Sequence, residues 1–270
     1  MSELVRAEDY GRVRHLILDR AEKRNAMNGE LISALREAAR EAADDPDVHC
    51  VVLRGEGPCF SAGVDLYELG GLGGQAEMLR PFRCACLEAV NSFEQMAKPT
   101  IAQIHGTCLG LGAEVAVACD MRVMASDVVF GLPEVKLGII PDVGGSTRLP
   151  AIVGLGIAKE LVMTGRSIGA DDAYRIGLAN RIAEPAALAG ATQELVSELL
   201  AAAPLAAGSS KHVLNAVARP TVAASLELEG SIQQTLIATD DFQEAGAAFL
   251  EKREPEWSAN LPGREASKTA

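Results

Sequence analysis

Three carboxylic acids fall within one glycine-rich stretch of this sequence, and their surroundings suit acid–base chemistry. Glu114 lies in an otherwise apolar helical segment of small residues, where a buried acid is costly without a partner. Glu134 follows Phe130-Gly-Leu-Pro133, and Asp142 precedes Gly144-Gly145. Carboxyl groups in partly apolar surroundings can exchange protons near neutral pH. Each acid also has a structural interpretation: an ion-paired core acid for Glu114, a helix-start acid for Glu134 and an N-cap for Asp142.

Two loops of small residues each follow a short apolar strand. The first is Cys59-Phe-Ser-Ala-Gly-Val-Asp65, and the second is Gly106-Thr-Cys-Leu-Gly-Leu-Gly112. Such loops bring backbone N–H groups close to a ligand because little side chain stands in the way. Two of them can form an oxyanion hole, which stabilises negative charge on a carbonyl oxygen. Glycine loops also serve as simple turns, so the pattern alone leaves both interpretations open.

Other chemistries find no support in the motifs. The stretch Gly70-Gly-Leu-Gly-Gly74 lacks the GK[ST] of a phosphate-binding loop, and its glycines predict a mobile loop. Ser61 does not lie in a GxSxG motif, and Cys108 and Cys119 are expected to be core residues. The 6 cysteines and 4 histidines show no metal-ligand spacing. We therefore expect no metal and no separate cofactor.

Composition and charge exclude further classes of protein. The chain has 270 residues, of which 48% are hydrophobic and 23% charged, which is typical of a folded globular protein. Its formal net charge of −12 would repel nucleic acid and anionic membranes, so neither is an expected partner. The first residues lack the apolar core of a signal peptide, and we expect a cytoplasmic location.

The predicted elements alternate between strands and helices before becoming mostly helical. The predicted strands cover residues 12–19, 49–54, 99–105, 121–125 and 128–130. Asn28 is expected to cap a helix that ends near residue 44, and a long helix is predicted over 75–97. After about residue 146 the sequence is rich in Ala and Leu, with breaks at glycines and prolines. This pattern predicts an α/β core followed by helices, with a frayed tail over 262–270.

Several motifs, in order, make the sequence resemble the crotonase superfamily, the enoyl-CoA hydratase/isomerase family, along nearly the whole chain. The matching segments are Arg24-Asn-Ala-Met-Asn28, Phe60-Ser-Ala-Gly-Val-Asp-Leu66, His105-Gly-Thr-Cys-Leu-Gly-Leu-Gly-Ala-Glu114, Phe130-Gly-Leu-Pro-Glu134, Leu137-Gly-Ile-Ile-Pro141, Leu161-Val-Met-Thr-Gly165 and Phe249-Leu-Glu-Lys-Arg253. Each piece is short, but the combination is highly specific.

The resemblance implies an α/β fold, a crotonase-like spiral of ββα units with a helical C-terminal trimerisation region. Residues 1–195 would form the core with the active site, and 196–270 the helical region. The implied ligand is an acyl-CoA thioester, in which coenzyme A is part of the substrate. The implied assembly is a homotrimer or a dimer of trimers.

The resemblance also assigns roles to residues. The backbone N–H groups of Val64 and Leu111 would bind the thioester oxygen. Glu114 would activate a water that adds at Cβ, and Glu134 would deliver a proton to Cα. The backbone at Ala62 would meet adenine, and Arg24 and Lys252 would approach the CoA phosphates. The other residues expected at the CoA and substrate site are Ala26, Gly63, Asp65, Leu66, Gly110, Pro133 and Phe249.

Two departures from the family pattern bear on the reaction. The position of Leu111 is commonly glycine, so its side chain must point away from the thioester. Asp142 stands where typical hydratases have glycine and dienoyl-CoA isomerases have aspartate. We expect an enoyl-CoA hydratase acting on a trans-2-enoyl-CoA. The alternatives are a Δ3,5-Δ2,4-dienoyl-CoA or Δ3-Δ2-enoyl-CoA isomerase that uses Asp142 and Glu134, and a non-catalytic crotonase-fold binding protein.

Overall fold

The strands of the protein form two sheets, as described by a computed structural model that covers residues 4–71, 76–218 and 221–256. The strands are β1 (Val5–Tyr10), β2 (Val13–Leu18), β3 (Cys50–Gly55), β4 (Thr100–Ile104), β5 (Thr107–Leu109), β6 (Met121–Ala125), β7 (Val129–Gly131) and β8 (Arg181–Ala183). The larger sheet has the order β1-β2-β3-β4-β6-β8. Its pairs are parallel except β1 with β2, and the smaller sheet pairs β5 with β7 in parallel.

Helices follow most of the strands and make up nearly all of the later part of the chain. They are α1 (Gly29–Asp44), α2 (Leu66–Gly71), α3 (Ala76–Gln95), α4 (Leu111–Ala118), α5 (Gly145–Val153), α6 (Leu155–Thr164), α7 (Ala170–Arg175), α8 (Leu188–Leu200), α9 (Pro204–Ala218), α10 (Val222–Leu236) and α11 (Asp240–Glu251). Short 3-10 turns cover Ala21–Lys23, Glu134–Leu137 and Pro185–Ala187. Within the described ranges, none of these helices combines the length and apolar character needed to span a bilayer.

The chain winds as a spiral in which successive turns add one segment to each sheet. Isolated bridges between Met27 and Val64, Ser61 and Cys108, and Phe130 and Ile168 extend the smaller sheet beyond β5 and β7. One turn of the spiral therefore runs through β4, β5 and α4, a strand in each sheet followed by a helix. The predicted spiral of ββα units is confirmed.

The central strands are buried on both faces, which is why their sequences are almost continuously apolar. On one face, Leu16, Leu53 and Ala102 pack in the main core with α1, α3 and α4. On the other face, α8 covers the sheet with Leu195 and Val196. The division of the chain predicted at residue 195 falls inside this helix.

The structure departs from the predicted elements in a few places. The edge strand β1 was not predicted because its sequence, VRAEDY, is mostly charged or polar and largely faces solvent. The strand β8 was also not predicted, because its three residues lie in the part of the chain that was expected to be mostly helical. Gly70 and Gly71 end α2 and do not lie in a loop, and 72–74 and 262–270 lie outside the described residues. The N-cap of α5 is Gly144, so the capping interpretation of Asp142 is wrong.

Lys211 connects α9 to α3 and to the segments that precede β4 and β6. Its Nζ donates to the carbonyl oxygens of Phe93 at 2.7 Å and of Lys98 at 3.1 Å. It also lies 2.9 Å from Oδ2 of Asp120, and the two side chains are 8% and 19% exposed. Burial raises the pKa of Asp120, whereas the Lys211 charge lowers it. The three oxygen atoms that Lys211 contacts therefore hold α9 against the rest of the protein.

We predict that Lys211→Met lowers the free energy of unfolding by about 3 kcal/mol, because it leaves the Asp120 carboxylate without its cation. Chemical denaturation of the parent and the variant measures this difference. Lys159→Met, on the exposed face of α6, is the matched control and should change stability by less than about 0.5 kcal/mol. A loss for Lys211→Met no larger than that of the control would contradict this role.

Candidate active site

The three predicted acids reach one small cavity from three different elements. Glu114 lies in the first turn of α4, Glu134 begins a 3-10 turn, and Asp142 lies in the connection before α5. They are 2%, 8% and 9% exposed, respectively. The cavity has a volume of about 40 Å³, and the backbone segments predicted to supply N–H donors also line it, through Val64 and Leu111. Its other lining residues are Leu69, Leu79, Phe82, Arg83, Cys86, Ile139, Ile140, Val143 and Gln233.

Glu114 is held by the backbone of the loop that carries Asp142. The N–H groups of Val143 and Gly145 both donate to its Oε1, each at 2.8 Å. Burial raises the pKa of Glu114 well above its ordinary value, and the charges of Glu134 and Asp142 add to the rise. The Gly145 N–H acts in the opposite direction, because a donated hydrogen bond stabilises the carboxylate.

Glu134 differs from Glu114 in having no hydrogen-bond partner for either carboxyl oxygen within the described part of the chain. Burial raises its pKa to about 8, its own backbone N–H acts in the opposite direction, and the charge of the neighbouring Asp142 adds to the rise. A Cβ placed on Gly110 would lie 3.2 Å from Oε1 of Glu134, so this carboxyl lies beside the second glycine loop. The geometry gives the site one acid with fixed donors and one without.

Asp142 is paired with an arginine that the sequence did not single out. Its Oδ2 lies 3.1 Å from Nε of Arg83, an ion-pair contact without hydrogen-bond geometry. The same Nε donates to the Asp142 backbone carbonyl at 2.9 Å. Burial raises the pKa of Asp142 to about 7, Arg83 lowers it, and Glu229 raises it. Asp142 is thus a third buried carboxyl whose charge is sensitive to its neighbours.

The two glycine loops come into direct contact at the cavity. The N–H of Leu109 donates to the carbonyl of Ser61 at 3.1 Å, which aligns the loops. Gly63 has a φ of 99°, and a Cβ there would lie 2.8 Å from the Leu109 carbonyl oxygen and 3.4 Å from the Leu111 nitrogen. A side chain at this position would therefore push the loops apart.

The Val64 and Leu111 N–H groups have no acceptor among the hydrogen bonds of the described residues. Val64 bridges to Met27 through the N–H of Asp65 and the carbonyl of Gly63, so its own N–H faces away from that pairing. Leu111 begins α4, where N–H groups have no partner within the helix. Both donors belong to segments that line the cavity with the acids.

The segment around Arg24 and Ala26 runs beside the first loop. Arg24 is exposed, and its carbonyl accepts the N–H of Ala62 at 2.9 Å. Asp65 accepts from Nη1 of Arg20 at 2.7 Å, and this hydrogen bond lowers the pKa of Asp65. Arg20 also donates to the carbonyl of Ala26 at 2.8 Å, so the predicted Asp65 side chain ties the two segments together.

Two of the remaining predicted residues line a second, larger cavity between α2 and α11. This cavity has a volume of about 630 Å³, and Leu66 and Phe249 both line it. Lys252 is exposed at the C-terminal end of α11 with a φ of 54°, and half-buried Pro133 precedes the 3-10 turn of Glu134. Leu69 lines both cavities, which makes them neighbours.

Several polar residues of the site were missed by sequence reasoning. Asn25 is fully buried, and its Nδ2 donates to the carbonyls of Glu56, Cys59 and Phe60, which shapes the first loop. Arg83, Glu229 and Gln233 lie on α3 and α10 and surround the loop of Asp142. In the sequence these three residues differ from surface residues only by lying on the buried face of a helix. The sequence alone does not show which face is buried.

Known proteins match this chain over nearly its full length. The model of the enoyl-CoA hydratase/isomerase family matches residues 8–260. The chain is 34% identical to the short-chain-enoyl-CoA hydratase of Clostridium acetobutylicum, over 94% of this chain and 97% of that protein. It is 36% identical to the crotonyl-CoA hydratase of Syntrophomonas wolfei, over 88% and 91% of the two chains.

A solved structure shows the same architecture. The crystal structure of an enoyl-CoA hydratase/isomerase from Mycobacterium paratuberculosis superposes with a TM-score of 0.85 at 28% identity, and the match covers 92% of this chain and 98% of the other. Sequence and structure are thus matched over nearly the full length of the chain. The protein belongs to the enoyl-CoA hydratase/isomerase family.

Proposed function

We propose that this protein is an enoyl-CoA hydratase that adds water across the double bond of a trans-2-enoyl-CoA. The observation that carries the proposal is the difference between the two glutamates of the small cavity. Glu114 accepts two backbone N–H groups, whereas both oxygens of the Glu134 carboxyl lack a partner in the described structure. Two carboxyls in unlike environments are what a reaction needs when it requires both a base and an acid.

The contacts of the two glutamates support an assignment of the base and the acid. Burial raises the pKa of both carboxyls, but two loop N–H groups are aimed at Glu114 and would stabilise its charged form, whereas neither oxygen of Glu134 has a hydrogen-bond partner among the described residues. On this difference in contacts we assign Glu114 as the base and Glu134 as the acid. The pKa of about 8 for Glu134 keeps most of this carboxyl protonated at pH 7.

The reaction follows from these protonation states. Glu114 would take a proton from a water as the oxygen of that water bonds to Cβ of the enoyl group. The electrons of the double bond move toward the thioester, and Cα takes the proton of Glu134. The product is the 3-hydroxyacyl thioester, and the proton gained by Glu114 must return to Glu134 before the next turnover.

We propose that the Val64 and Leu111 N–H groups stabilise the enolate oxygen that forms in this step. Preorganised donors at such an oxygen commonly contribute about 3 kcal/mol each to lowering a barrier. The start of α4 adds the positive end of a helix dipole on the same side. The CoA part of the substrate would lie along the first loop, with Arg24 and Lys252 at its phosphates and the backbone at Ala62 near adenine.

We also propose that copies of this chain associate through the C-terminal helices, as a homotrimer or a dimer of trimers. Large apolar side chains are exposed on α9, including Leu205 at 86% and Val217 at 77%. Exposed apolar faces of this kind are typical of surfaces that a partner covers. A cytoplasmic location stays a prediction from the sequence.

Asp142 supports a second candidate function, the migration of a double bond along the acyl chain. It lines the same cavity as Glu134, and its pKa of about 7 suits proton exchange in both directions. In such an isomerase, one acid would remove a proton from the chain and the other would return a proton at a different carbon. The family as a whole is described as enoyl-CoA hydratase/isomerase.

We predict that Glu134→Gln lowers kcat for hydration of crotonyl-CoA by about a hundredfold or more, because the amide has the same shape but no proton to deliver. Loss of the conjugated enoyl thioester, followed by ultraviolet absorbance, measures the rate. Glu30→Gln, the same change at an exposed position, should keep the parent rate. Hydration by Glu134→Gln at the parent rate would refute the assignment of Glu134 as the acid.

The pH profile provides a second test of the acid. Because the active form of Glu134 is the protonated one, kcat/KM should fall as pH rises through about 8. Asp142→Asn removes a neighbouring negative charge that raises this pKa, so the fall should begin at lower pH in that variant. Profiles of hydration from about two pH units below the pKa of Glu134 to about two above it measure both. A kcat/KM that stays constant or rises as the pH increases through about 8 would contradict a protonated Glu134 as the acid.

Asp142→Asn also separates the two candidate reactions. If the protein is an isomerase, this variant should lose the conversion of a 3,5-dienoyl-CoA into the 2,4-dienoyl product, because an amide cannot exchange protons with the acyl chain. Growth of the dienoyl absorbance measures this conversion. Double-bond migration that survives in Asp142→Asn would exclude Asp142 as a proton carrier, and no migration by the parent would eliminate the isomerase candidate. Hydration of crotonyl-CoA by the same variant would support the hydratase.

A further inference from the structure

The loop over residues 140–145 is held from one side by the helix α10. Glu229 on α10 accepts the Gly144 N–H with Oε2 at 2.9 Å and the Thr147 hydroxyl with Oε1 at 2.5 Å. One helical turn further, Gln233 accepts the Ile140 N–H at 3.1 Å. Two side chains of one helix therefore fix both ends of this loop.

Arginines hold the carbonyl groups of the same loop. Nε of Arg83 donates to the Asp142 carbonyl at 2.9 Å, and the same side chain donates to the carbonyl of Leu226 on α10. Nη1 of Arg148 donates to the Val143 carbonyl at 3.1 Å. The loop backbone is thus fixed through its N–H groups by α10 and through its carbonyls by the two guanidinium groups.

The N–H groups that this loop presents to Glu114 lie on either side of the residue that Glu229 holds. Val143 and Gly145 donate to Glu114, and Gly144 between them donates to Glu229. Successive N–H groups of the loop therefore alternate between two carboxylates. Any movement of Gly144 must also move the two donors that orient Glu114.

Glu229 itself does not face the substrate side. It is 4% exposed, both of its oxygens are occupied, and it is absent from the residues that line the small cavity. Its nearest cation is Arg83, whose Nη2 lies 4.0 Å from Oε2. Glu229 can therefore act on the reaction through the loop and through its charge, which raises the pKa of Glu114 and of Asp142, but not by contact with the substrate.

We infer that Glu229 is a positioning residue for the hydration reaction, which orients the Glu114 carboxylate through the Gly144 N–H and the loop 140–145. This inference rests on the proposed function, in which Glu114 activates the water. Catalytic groups work only when they are held within a fraction of an ångström of their productive position. Through Glu229, a residue of the C-terminal helical region that does not line the small cavity would then shape the active site.

Glu229→Ala tests the inference with crotonyl-CoA as substrate. We expect kcat to fall by about tenfold to a hundredfold, because Glu114 is no longer aligned. KM should stay within about twofold, because Glu229 does not contact the bound substrate. Glu227→Ala is the matched control, since Glu227 is an exposed acid on the same helix. A folded Glu229→Ala protein with the kcat of the parent would overturn the inference.

Hydrogen exchange supplies a readout that is independent of activity. In Glu229→Ala, the amides of Val143, Gly144 and Gly145 should exchange at least about tenfold faster, with the rest of the chain unchanged. Equally faster exchange throughout the protein would show a general loss of stability and overturn a positioning role. If the parent does not hydrate crotonyl-CoA, the proposed function fails, whereas these exchange rates still test how the loop is held.

Glu229→Gln keeps the inference testable if the alanine variant does not fold. The amide retains an oxygen for the Gly144 N–H and gains a donor for the Thr147 hydroxyl, so the loop stays held. We expect its kcat within about threefold of the parent and parent-like exchange at Val143 and Gly145. A large loss of kcat in a folded Glu229→Gln would show that charge, and not positioning, is the contribution of this residue.

Discussion

The two hydrogen bonds from Val143 and Gly145 to one oxygen of Glu114 make the environment of this glutamate different from that of Glu134. Glu114 and Glu134 are both buried, and burial alone would favour the neutral form of each. Glu114 accepts two N–H groups from the loop 140–145, whereas neither oxygen of Glu134 has a hydrogen-bond partner among the described residues, so the two glutamates lie in chemically different environments. In the proposed reaction, the division of roles between base and acid would therefore depend on the backbone of one loop.

The spiral fold places that loop and the two glycine loops around one point. The short parallel pairings between Ser61 and Cys108 and between β5 and β7 stack the loops side by side. The helix α4 then starts at Leu111, and Glu114 lies three residues further on the same side of its first turn. In the proposed reaction, one helix start would thereby supply both an N–H donor and the base. Rigid elements, and not long side chains, set the distances in this site.

Burying so many carboxyls carries an energetic cost that the structure offsets with a few cations. Arg83 lies between Asp142 and Glu229 and also binds two backbone carbonyls. The oxygens of Glu134 and Oδ2 of Asp142 keep no hydrogen-bond partner among the described residues. Unsatisfied buried groups destabilise a fold and are characteristic of functional sites. The carboxyls of the cavity therefore lower the stability of the folded protein relative to apolar residues packed in the same place.

The sequence determined the strand and loop pattern, the three acids and the family resemblance, because these depend on residue types and on spacing along the chain. It could not determine which protons the acids hold, because that depends on donors from residues far away in the chain, such as Gly145 for Glu114. The roles of Arg83 and Glu229 were likewise hidden, because a polar residue on a helix looks the same whether its face is buried or exposed. Spacing fixed what the site is made of, and only the tertiary structure, by burial and hydrogen bonding, decided how each charge behaves.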